Sequence, residues 1–228
     1  MTSNKNIIKE LVKLNKSIFI NNLTILNFGN ASHFDRIKKK LYIKGTGFNT
    51  EKVNNKRISV LKLVDNKFNL INKIKPSVDT PIHHSIYRAL PKVNFIAHTH
   101  STYATVLAQL SIEPECIGTT HADFFYEKIP LSGVLKNYNS KNYEIKIGNS
   151  IISRIKTEKY TPPGILIRNH GVIAWGKTSN ETLDNLIAIE KICEFYYLSK
   201  LIKLKKIPKK LHHLHFFRKH GKNKTYGQ

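Results

Sequence analysis

The stretch DTPIHHSIYRALPKVNFIAHTHSTYATVLAQL, residues 79–110, predicts a helix, a strand and a second helix in direct succession. Asp79 stands at or near the cap of the first helix, and Pro81 falls in its first turn. The apolar face of that helix follows at helical spacing, with Ile82, Ile86, Ala89 and Leu90. Residues 93–100 are strand-like, and Ser101 is a suitable N-cap for a short helix after them. Interleaved helices and strands of this kind are typical of an α/β protein.

Helical patterns recur at both ends of the chain. Residues 4–20 predict an amphipathic helix. Thr178 with Glu181 forms a capping box that opens a helix running to about Leu201. The buried side of this last helix is expected to carry Leu183, Leu186, Ile187, Cys193 and Tyr197.

Strand patterns lie between the helices. Leu41 and Ile43 alternate like a strand, and residues 57–64 and 67–71 predict two strands around a tight turn at Asp65-Asn66. Two more apolar strands are expected at residues 164–169 and 172–175, whereas residues 27–32 have a turn-rich composition. Because the chain has no internal repeat and no linker, we expect one domain over residues 1–228, with a basic C-terminal tail from about residue 203.

The composition excludes several classes of protein. At 40% hydrophobic and 10% aromatic residues, the 228-residue chain is too apolar to be disordered, and no apolar run approaches the ~20 residues of a membrane span. Cys116 and Cys193 cannot form a disulfide framework, and no apolar signal core follows Met1. These features predict a globular protein of the cytoplasm with no membrane partner.

The net charge of +23 raises the question of a nucleic-acid partner, because clustered basic side chains neutralise phosphates. Only six basic residues are arginine, the residue favoured for base readout and bidentate phosphate contacts. Ile, Asn and Lys are abundant together along the whole chain, which indicates compositional drift. We therefore do not expect nucleic-acid binding; the densest basic region, residues 203–224, is where the alternative would apply.

Three histidines form a candidate metal site. His98 and His100 are two residues apart on a predicted strand, so both side chains leave the same face, close enough to bind one ion. His170 ends another apolar strand at a glycine, and three histidines with an open position are the usual design of a catalytic zinc site. Asp79 could add a fourth ligand or orient a histidine, but it could equally be a plain helix cap.

Asp123 is a candidate acid or base. It lies in His121-Ala122-Asp123 and is followed by Phe124, Phe125 and Tyr126. A carboxyl group beside apolar rings can have a raised pKa and transfer protons. The alternative is a turn aspartate ahead of a buried aromatic strand.

Lys44-Gly45-Thr46-Gly47 is a candidate anion-binding loop. Two glycines allow backbone N–H groups to converge, and Lys44 adds a positive charge. The alternative is an ordinary glycine turn with a solvated lysine.

Several motifs occur in one order along the chain. They are Gly29-Asn30-Ala31-Ser32, Lys44-Gly45-Thr46-Gly47, Asp79-Thr80-Pro81 with His84 shortly after, His98-Thr99-His100-Ser101 and Asn169-His170-Gly171. In this order they resemble the class II aldolase/adducin family over essentially the whole chain. Within that family, GTTHADFFYEKIP from Gly118, AWGK from Ala174, and the closing RKHG and YGQ look like the L-ribulose-5-phosphate 4-epimerases.

The resemblance implies both a fold and a reaction. The fold would be a single-domain α/β sandwich with a central mixed or antiparallel sheet flanked by helices. The reaction would be a retro-aldol epimerisation of a sugar phosphate, in which a divalent ion, usually zinc, stabilises an enediolate after the C3–C4 bond breaks. Re-addition to the other face of glycolaldehyde phosphate inverts C4 and interconverts L-ribulose 5-phosphate and D-xylulose 5-phosphate, as in arabinose or ascorbate catabolism.

The resemblance also assigns roles to residues of this chain. His98, His100 and His170 would be the metal ligands, with Asp79 beside them, and Asp123 and Tyr226 would be the acid/base pair. The phosphate pocket would contain Asn30, Lys44, Gly45, Thr46, Gly47 and Ser77.

The chain departs from the epimerase pattern around the phosphate pocket. Gly45-Thr46 stands where Pro-Ser is usual, and Val78 replaces a second serine. Leu131-Ser132-Gly133 replaces a segment that normally carries an arginine. These changes are expected to affect the affinity for the substrate. None of them replaces a metal ligand or a proton-transfer residue.

The family's assembly gives the basic tail a purpose. The family forms homotetramers with active sites at subunit borders, and the resemblance implies that Tyr226 reaches the neighbouring subunit's site. Arg218, in the RKHG match, would approach the substrate phosphate there.

Two alternatives remain at this stage. A family aldolase would release its fragments, but its metal-side acid is typically glutamate and it lacks the THAD segment. A non-catalytic basic scaffold of the same fold would be expected to have lost the metal histidines. Asp79, Asp123 and the three histidines favour the epimerase.

Overall fold

The computed structural model describes residues 4–135, 142–203, 206–222 and 224–225. Its helices are α1 (Asn4–Ile20), α2 (Thr80–Ala89), α3 (Thr102–Gln109), α4 (Thr119–Ala122), α5 (Tyr143–Ile155), α6 (Ser179–Leu201) and α7 (Lys209–His220). Its strands are β1 (Asn30–Asp35), β2 (Lys40–Lys44), β3 (Ile58–Val64), β4 (Lys67–Leu70), β5 (Phe95–Thr99), β6 (Gly164–Ile167) and β7 (Gly171–Gly176). A short 3₁₀ turn, Asn55–Arg57, precedes β3.

The strands form one seven-stranded sheet in the order β4-β3-β2-β1-β5-β7-β6. Every ladder between these strands is antiparallel, so the sheet is not of the mixed type. β5 lies between β1 and β7, where His98 is opposite Asn30 on one side and Ile173 on the other. This register brings the ends of three strands together around His98.

Helices cover both faces of the sheet, because successive side chains of each strand point to opposite sides. On β5, Phe95 and Ala97 join the core under α1, α3 and α6, whereas Ile96 joins the core under α2 and α5. The first core includes Leu11, Ile18, Leu107 and Ile189, and the second includes Ile82, Ile86, Ile147 and Ile151. Each fully buried side chain of this size contributes about 1.5–3 kcal/mol relative to exposure.

The local sequence explains most of the element boundaries. The β3–β4 turn has positive φ at both central residues, Asp65 (47°) and Asn66 (61°), as a two-residue hairpin requires. Thr178 caps α6 through its hydroxyl, which accepts from the Glu181 amide at 3.1 Å. Ser101 occupies the N-cap position of α3 without a side-chain cap bond; instead, Glu190 of α6 accepts from the Tyr103 and Ala104 amides.

One expectation about local structure is half right and one is wrong. The segment with the turn-rich composition, residues 27–32, is outside any strand only as far as Gly29 and then enters β1 at Asn30, where the polar residues Asn30 and Ser32 are buried. On α6, Tyr196 is buried and Tyr197 is exposed, because the helix presents residues 185, 189, 192 and 196 to the core.

The basic tail folds onto its own chain. α7 packs on α4, with Phe216 and His212 buried between them. None of the helices in the described part of the chain is both long enough and apolar enough to cross a bilayer.

Candidate metal centre and active site

Three histidines meet where β5 ends and β7 begins. His98 is the fourth residue of β5, His100 follows the strand by one residue, and His170 lies in the turn directly before β7. The Nε2 atom of His98 lies 3.1 Å from Nε2 of His100 and 3.1 Å from Nε2 of His170. The candidate ligand atoms of all three lie within 4.8 Å of one another, as the sequence predicted.

The chemistry of this donor set fits a divalent cation. The Nδ1 atom of His98 donates to the Val172 carbonyl at 2.9 Å, which leaves its Nε2 as a bare lone pair facing the other two rings. Nitrogens that bind zinc at about 2.0–2.1 Å in a tetrahedron lie about 3.3 Å apart, close to the spacing found here. Burial and the neighbouring His98 lower the pKa of His170 to about 4, so its imidazole is neutral at neutral pH.

Asp79 lies beside the histidines but outside the cluster of ligand atoms. It occupies the N-cap position of α2 without a side-chain cap bond, so it is not a plain helix cap. Its Oδ2 accepts from Asn30 Nδ2 at 2.6 Å and from Ser77 Oγ at 3.4 Å. Burial alone would raise the pKa of Asp79, but His98, His83 and the Asn30 hydrogen bond together hold it below its usual value. The carboxylate is therefore ionised at the edge of the histidine site.

Two glycines allow the segments around the site to approach closely. Gly29 has φ +76°, and a Cβ there would lie 2.8 Å from the His98 carbonyl oxygen. Gly171 follows His170, and a Cβ there would lie 2.6 Å from the Thr99 carbonyl oxygen and 3.3 Å from Cε1 of His98. Each glycine sets the position of a segment against β5.

Gly171→Ala is expected to destabilise the protein by about 1–3 kcal/mol, because the added methyl group would clash with the Thr99 carbonyl oxygen of the sheet backbone and crowd the rings of His98 and His100. The measurement is urea unfolding followed by circular dichroism. Gly133→Ala is the matched control, since its Cβ would meet nothing closer than 4.0 Å. Equal stability of the two variants would contradict this account of the β5–β7 contact.

The residues expected to bind phosphate lie next to Asp79. Asn30 and Ser77 are both buried and hydrogen-bond the Asp79 carboxylate. The ammonium of Lys44 donates to the carbonyls of Asn27 (2.9 Å) and Phe48 (2.7 Å), so it is not a solvated lysine. Burial lowers the pKa of Lys44 to about 8, although the Asp79 carboxylate opposes this shift.

The glycine loop differs from the expectation that its amides converge on an anion. The Gly45 amide donates to the Arg57 carbonyl at 2.8 Å, and the Thr46 amide donates to the Lys75 carbonyl at 3.0 Å. Both amides therefore continue backbone pairing beyond the end of β2 instead of converging on an anion. Gly47, with φ +74°, closes the turn. A phosphate here would depend mainly on side chains.

Asp123 stands at the C-terminal end of α4 and faces α7. Its Oδ1 lies 3.3 Å from Nδ1 of His215 and 4.0 Å from an Nη atom of Arg218. Within the described part of the chain, no hydrogen bond or ion pair joins Asp123 to the histidine site. Tyr226, the expected partner of Asp123, lies outside the described residues.

The chain matches a known protein family over most of its length. Residues 9–197 match the family described as Class II Aldolase and Adducin N-terminal domain. The chain belongs to this family. Class II aldolases use a divalent metal ion, typically zinc, and the superfamily includes aldolases and epimerases.

Solved structures of class II aldolases share the fold. An L-fuculose 1-phosphate aldolase is 22% identical, with a TM-score of 0.80 over 95% of this chain and 96% of that one. YgbL from Escherichia coli, described as a putative aldolase/epimerase/decarboxylase, is 17% identical, with a TM-score of 0.75 over 92% and 97%. A sugar-phosphate aldolase from Thermotoga maritima is 20% identical, with a TM-score of 0.70 over 90% and 98%.

The sequence did not indicate a buried polar cluster that lies near the histidine site. Ser32 Oγ lies 2.7 Å from His83 Nδ1 and 2.8 Å from the Tyr87 hydroxyl, and all three residues are buried. Burial lowers the pKa of His83 to about 3, so the imidazole is neutral under physiological conditions. These hydrogen bonds explain how β1 tolerates a buried serine two residues along the strand from Asn30, the residue opposite His98.

The sequence patterns also did not indicate any role for Phe28 or His215. Phe28 stacks on His100 with ring centroids 5.4 Å apart and an interplanar angle of 19°. His215 lies 3.3 Å from the Asp123 carboxylate and 92 residues away from it in the sequence. Phe28 directly precedes the Gly29-Asn30 motif, and this adjacency was the one available signal.

Proposed function

We propose that this class II aldolase family member is a metal-dependent epimerase that interconverts L-ribulose 5-phosphate and D-xylulose 5-phosphate by inversion at C4. The observation that carries the proposal is the triad of His98, His100 and His170 beside an ionised Asp79. The GTTHAD segment that ends in Asp123 favours the epimerase over an aldolase.

The metal site would bind the reacting end of the substrate. A divalent cation held by the three histidines would supply Lewis-acid stabilisation of negative charge on the substrate's carbonyl and neighbouring hydroxyl oxygens. Asn30 and Ser77 hold Asp79 in place by hydrogen bonds. The three histidines lie at or beside the ends of β5 and β7, so a bound cation would orient the ketose before the C3–C4 bond breaks.

Asp123 would exchange the proton of the C4 hydroxyl. Its Oδ1 lies 3.3 Å from Nδ1 of His215 and 4.0 Å from an Nη atom of Arg218, and these contacts hold the carboxyl group in place for proton transfer. Tyr226 would serve the opposite face of the aldehyde fragment. Since Asp123 has no contact with the histidines of its own chain among the described residues, we propose that α4 and the tail complete the site of a neighbouring subunit in a homotetramer.

The decisive experiment is turnover of L-ribulose 5-phosphate by the purified protein, with zinc added or removed by a chelator. Zinc-dependent formation of D-xylulose 5-phosphate is the expected result. The absence of any metal-dependent conversion would reject the epimerase. Metal analysis of the protein as purified identifies the native ion.

A family aldolase is the second candidate, because the fold neighbours include an L-fuculose 1-phosphate aldolase. Release of free glycolaldehyde phosphate without epimer would favour it. Tight DNA binding at ~150 mM salt would instead support a basic binding protein.

Lys44 is expected to make substrate binding depend on pH. The Lys44→Met enzyme should have a KM for the sugar phosphate raised about 10- to 100-fold at neutral pH, because a charge-assisted hydrogen bond to phosphate is lost. In the unmodified enzyme, KM should rise as the pH passes above about 8, where the Lys44 ammonium loses its proton. Steady-state kinetics against pH measure both effects.

The control for this prediction is Lys40→Met, a lysine on the same strand. It should leave KM and its pH dependence unchanged. A Lys44→Met enzyme with normal KM would remove Lys44 from substrate binding and leave the Asn27 and Phe48 carbonyls as its partners.

A further inference from the structure

The three metal-site histidines are not oriented in the same way. The second ring nitrogen of His98 is fixed by its hydrogen bond to the Val172 carbonyl, as in most metal sites. Within the described part of the chain, neither ring nitrogen of His100 hydrogen-bonds to anything except His98. His100 is also only partly buried, so packing against the core does not fix its ring.

The ring of Phe28 stacks on the His100 imidazole, which has no such hydrogen bond among the described residues. It lies nearly parallel to the His100 imidazole, with centroids 5.4 Å apart and planes 19° apart. Offset-stacked rings of this kind attract each other beyond the effect of burying their area. The side chain is 45% exposed, so its contribution to the core is limited.

Several side-chain hydrogen bonds hold the turn that carries Phe28. The Phe28 carbonyl accepts hydrogen bonds from the hydroxyls of Thr24 and Thr50. The Asn27 carbonyl accepts from the Lys44 ammonium at 2.9 Å. Gly29 lets the same turn lie against the His98 carbonyl. Fixing an exposed aromatic side chain costs conformational entropy, and these contacts offset that cost.

We infer that Phe28 is a positioning residue of the metal centre, which holds the His100 imidazole in its ligating orientation by stacking on it. This inference depends on the metal centre used by the proposed function, but it does not depend on epimerisation. It also gives the Gly29-Asn30 motif and Lys44 a second role, because both fix the turn from which Phe28 reaches His100.

The test compares zinc affinity in four proteins by competition with a chromophoric chelator. Phe28→Leu keeps an apolar side chain but removes the ring, and it should weaken zinc binding about 3- to 10-fold, the loss expected for one stacking contact between rings. Phe28→Tyr keeps the ring and should restore the affinity of the unmodified protein. Leu26→Ala, in the same turn and 65% exposed, is the control and should bind zinc normally.

A second readout separates orientation from folding. With Co²⁺ in place of zinc, the visible absorption of the Phe28→Leu protein should change in shape, while its metal-free thermal unfolding stays unchanged. Normal zinc affinity and a normal cobalt spectrum in Phe28→Leu would overturn the inference while leaving the metal centre intact. Failure of the unmodified protein to bind zinc would overturn the metal centre and this inference together.

Discussion

His170→Ala is expected to lower kcat/KM by at least about 10³-fold and to remove tightly bound zinc. The substitution deletes one of three nitrogens that face each other, and the remaining pair cannot hold a divalent cation in a closed geometry. His170 lies in a turn and is only partly buried, so its truncation should leave the fold intact. Metal content after dialysis and turnover of L-ribulose 5-phosphate measure the two effects.

The control for this prediction is His84→Ala. His84 is also partly buried and also contacts an aromatic ring, Phe68, but it lies outside the ligand cluster. It should retain zinc and activity. Full activity and full zinc content in His170→Ala would show that the triad is not the metal centre.

The metal triad could be predicted from the sequence because its geometry is mostly local. The spacing of His98 and His100 fixes their common direction, and His170 sits at a glycine that ends a strand. The sequence did not reveal that β7 pairs directly with β5, which brings His170 within reach. The resemblance to the family in the order of the motifs indicated that His170 joins His98 and His100.

The failures in the prediction have a common physical cause. β1 was missed because Asn30 and Ser32 occupy buried positions where apolar residues are expected. Asn30 donates to Asp79 at the N-cap of α2, and Ser32 hydrogen-bonds to His83 and Tyr87 on α2. The prediction that the loop amides converge on an anion was wrong. The carbonyls of Arg57 and Lys75, which are distant in the sequence, accept hydrogen bonds from the amides of Gly45 and Thr46. In each case the hydrogen-bond partner is distant in the sequence, so a local sequence pattern does not indicate it.

Asp123→Asn is the second prediction with a large effect. We expect turnover to fall by about 10² to 10⁴-fold, the usual contribution of a positioned acid or base, while zinc affinity stays unchanged. Asparagine has nearly the same shape and can still contact His215, but it cannot take up a proton. Asp184→Asn, an exposed position on α6, is the matched control and should be fully active. Loss of zinc or of helix content in Asp123→Asn would indicate a structural role instead.

The two variants together test where the active site is assembled. If one subunit supplies the histidines and its neighbour supplies Asp123, then His170→Ala and Asp123→Asn each destroy a different half of every site. Subunits of the two inactive variants can be unfolded and then refolded together. Some of the resulting subunit interfaces would combine an intact histidine triad with an intact Asp123. Such mixed oligomers should regain part of the activity, whereas each variant refolded alone should stay inactive. No recovery in mixtures shown to contain both subunits would place both halves of the site in one chain, and the α4–α7 pair would then have to approach its own histidines.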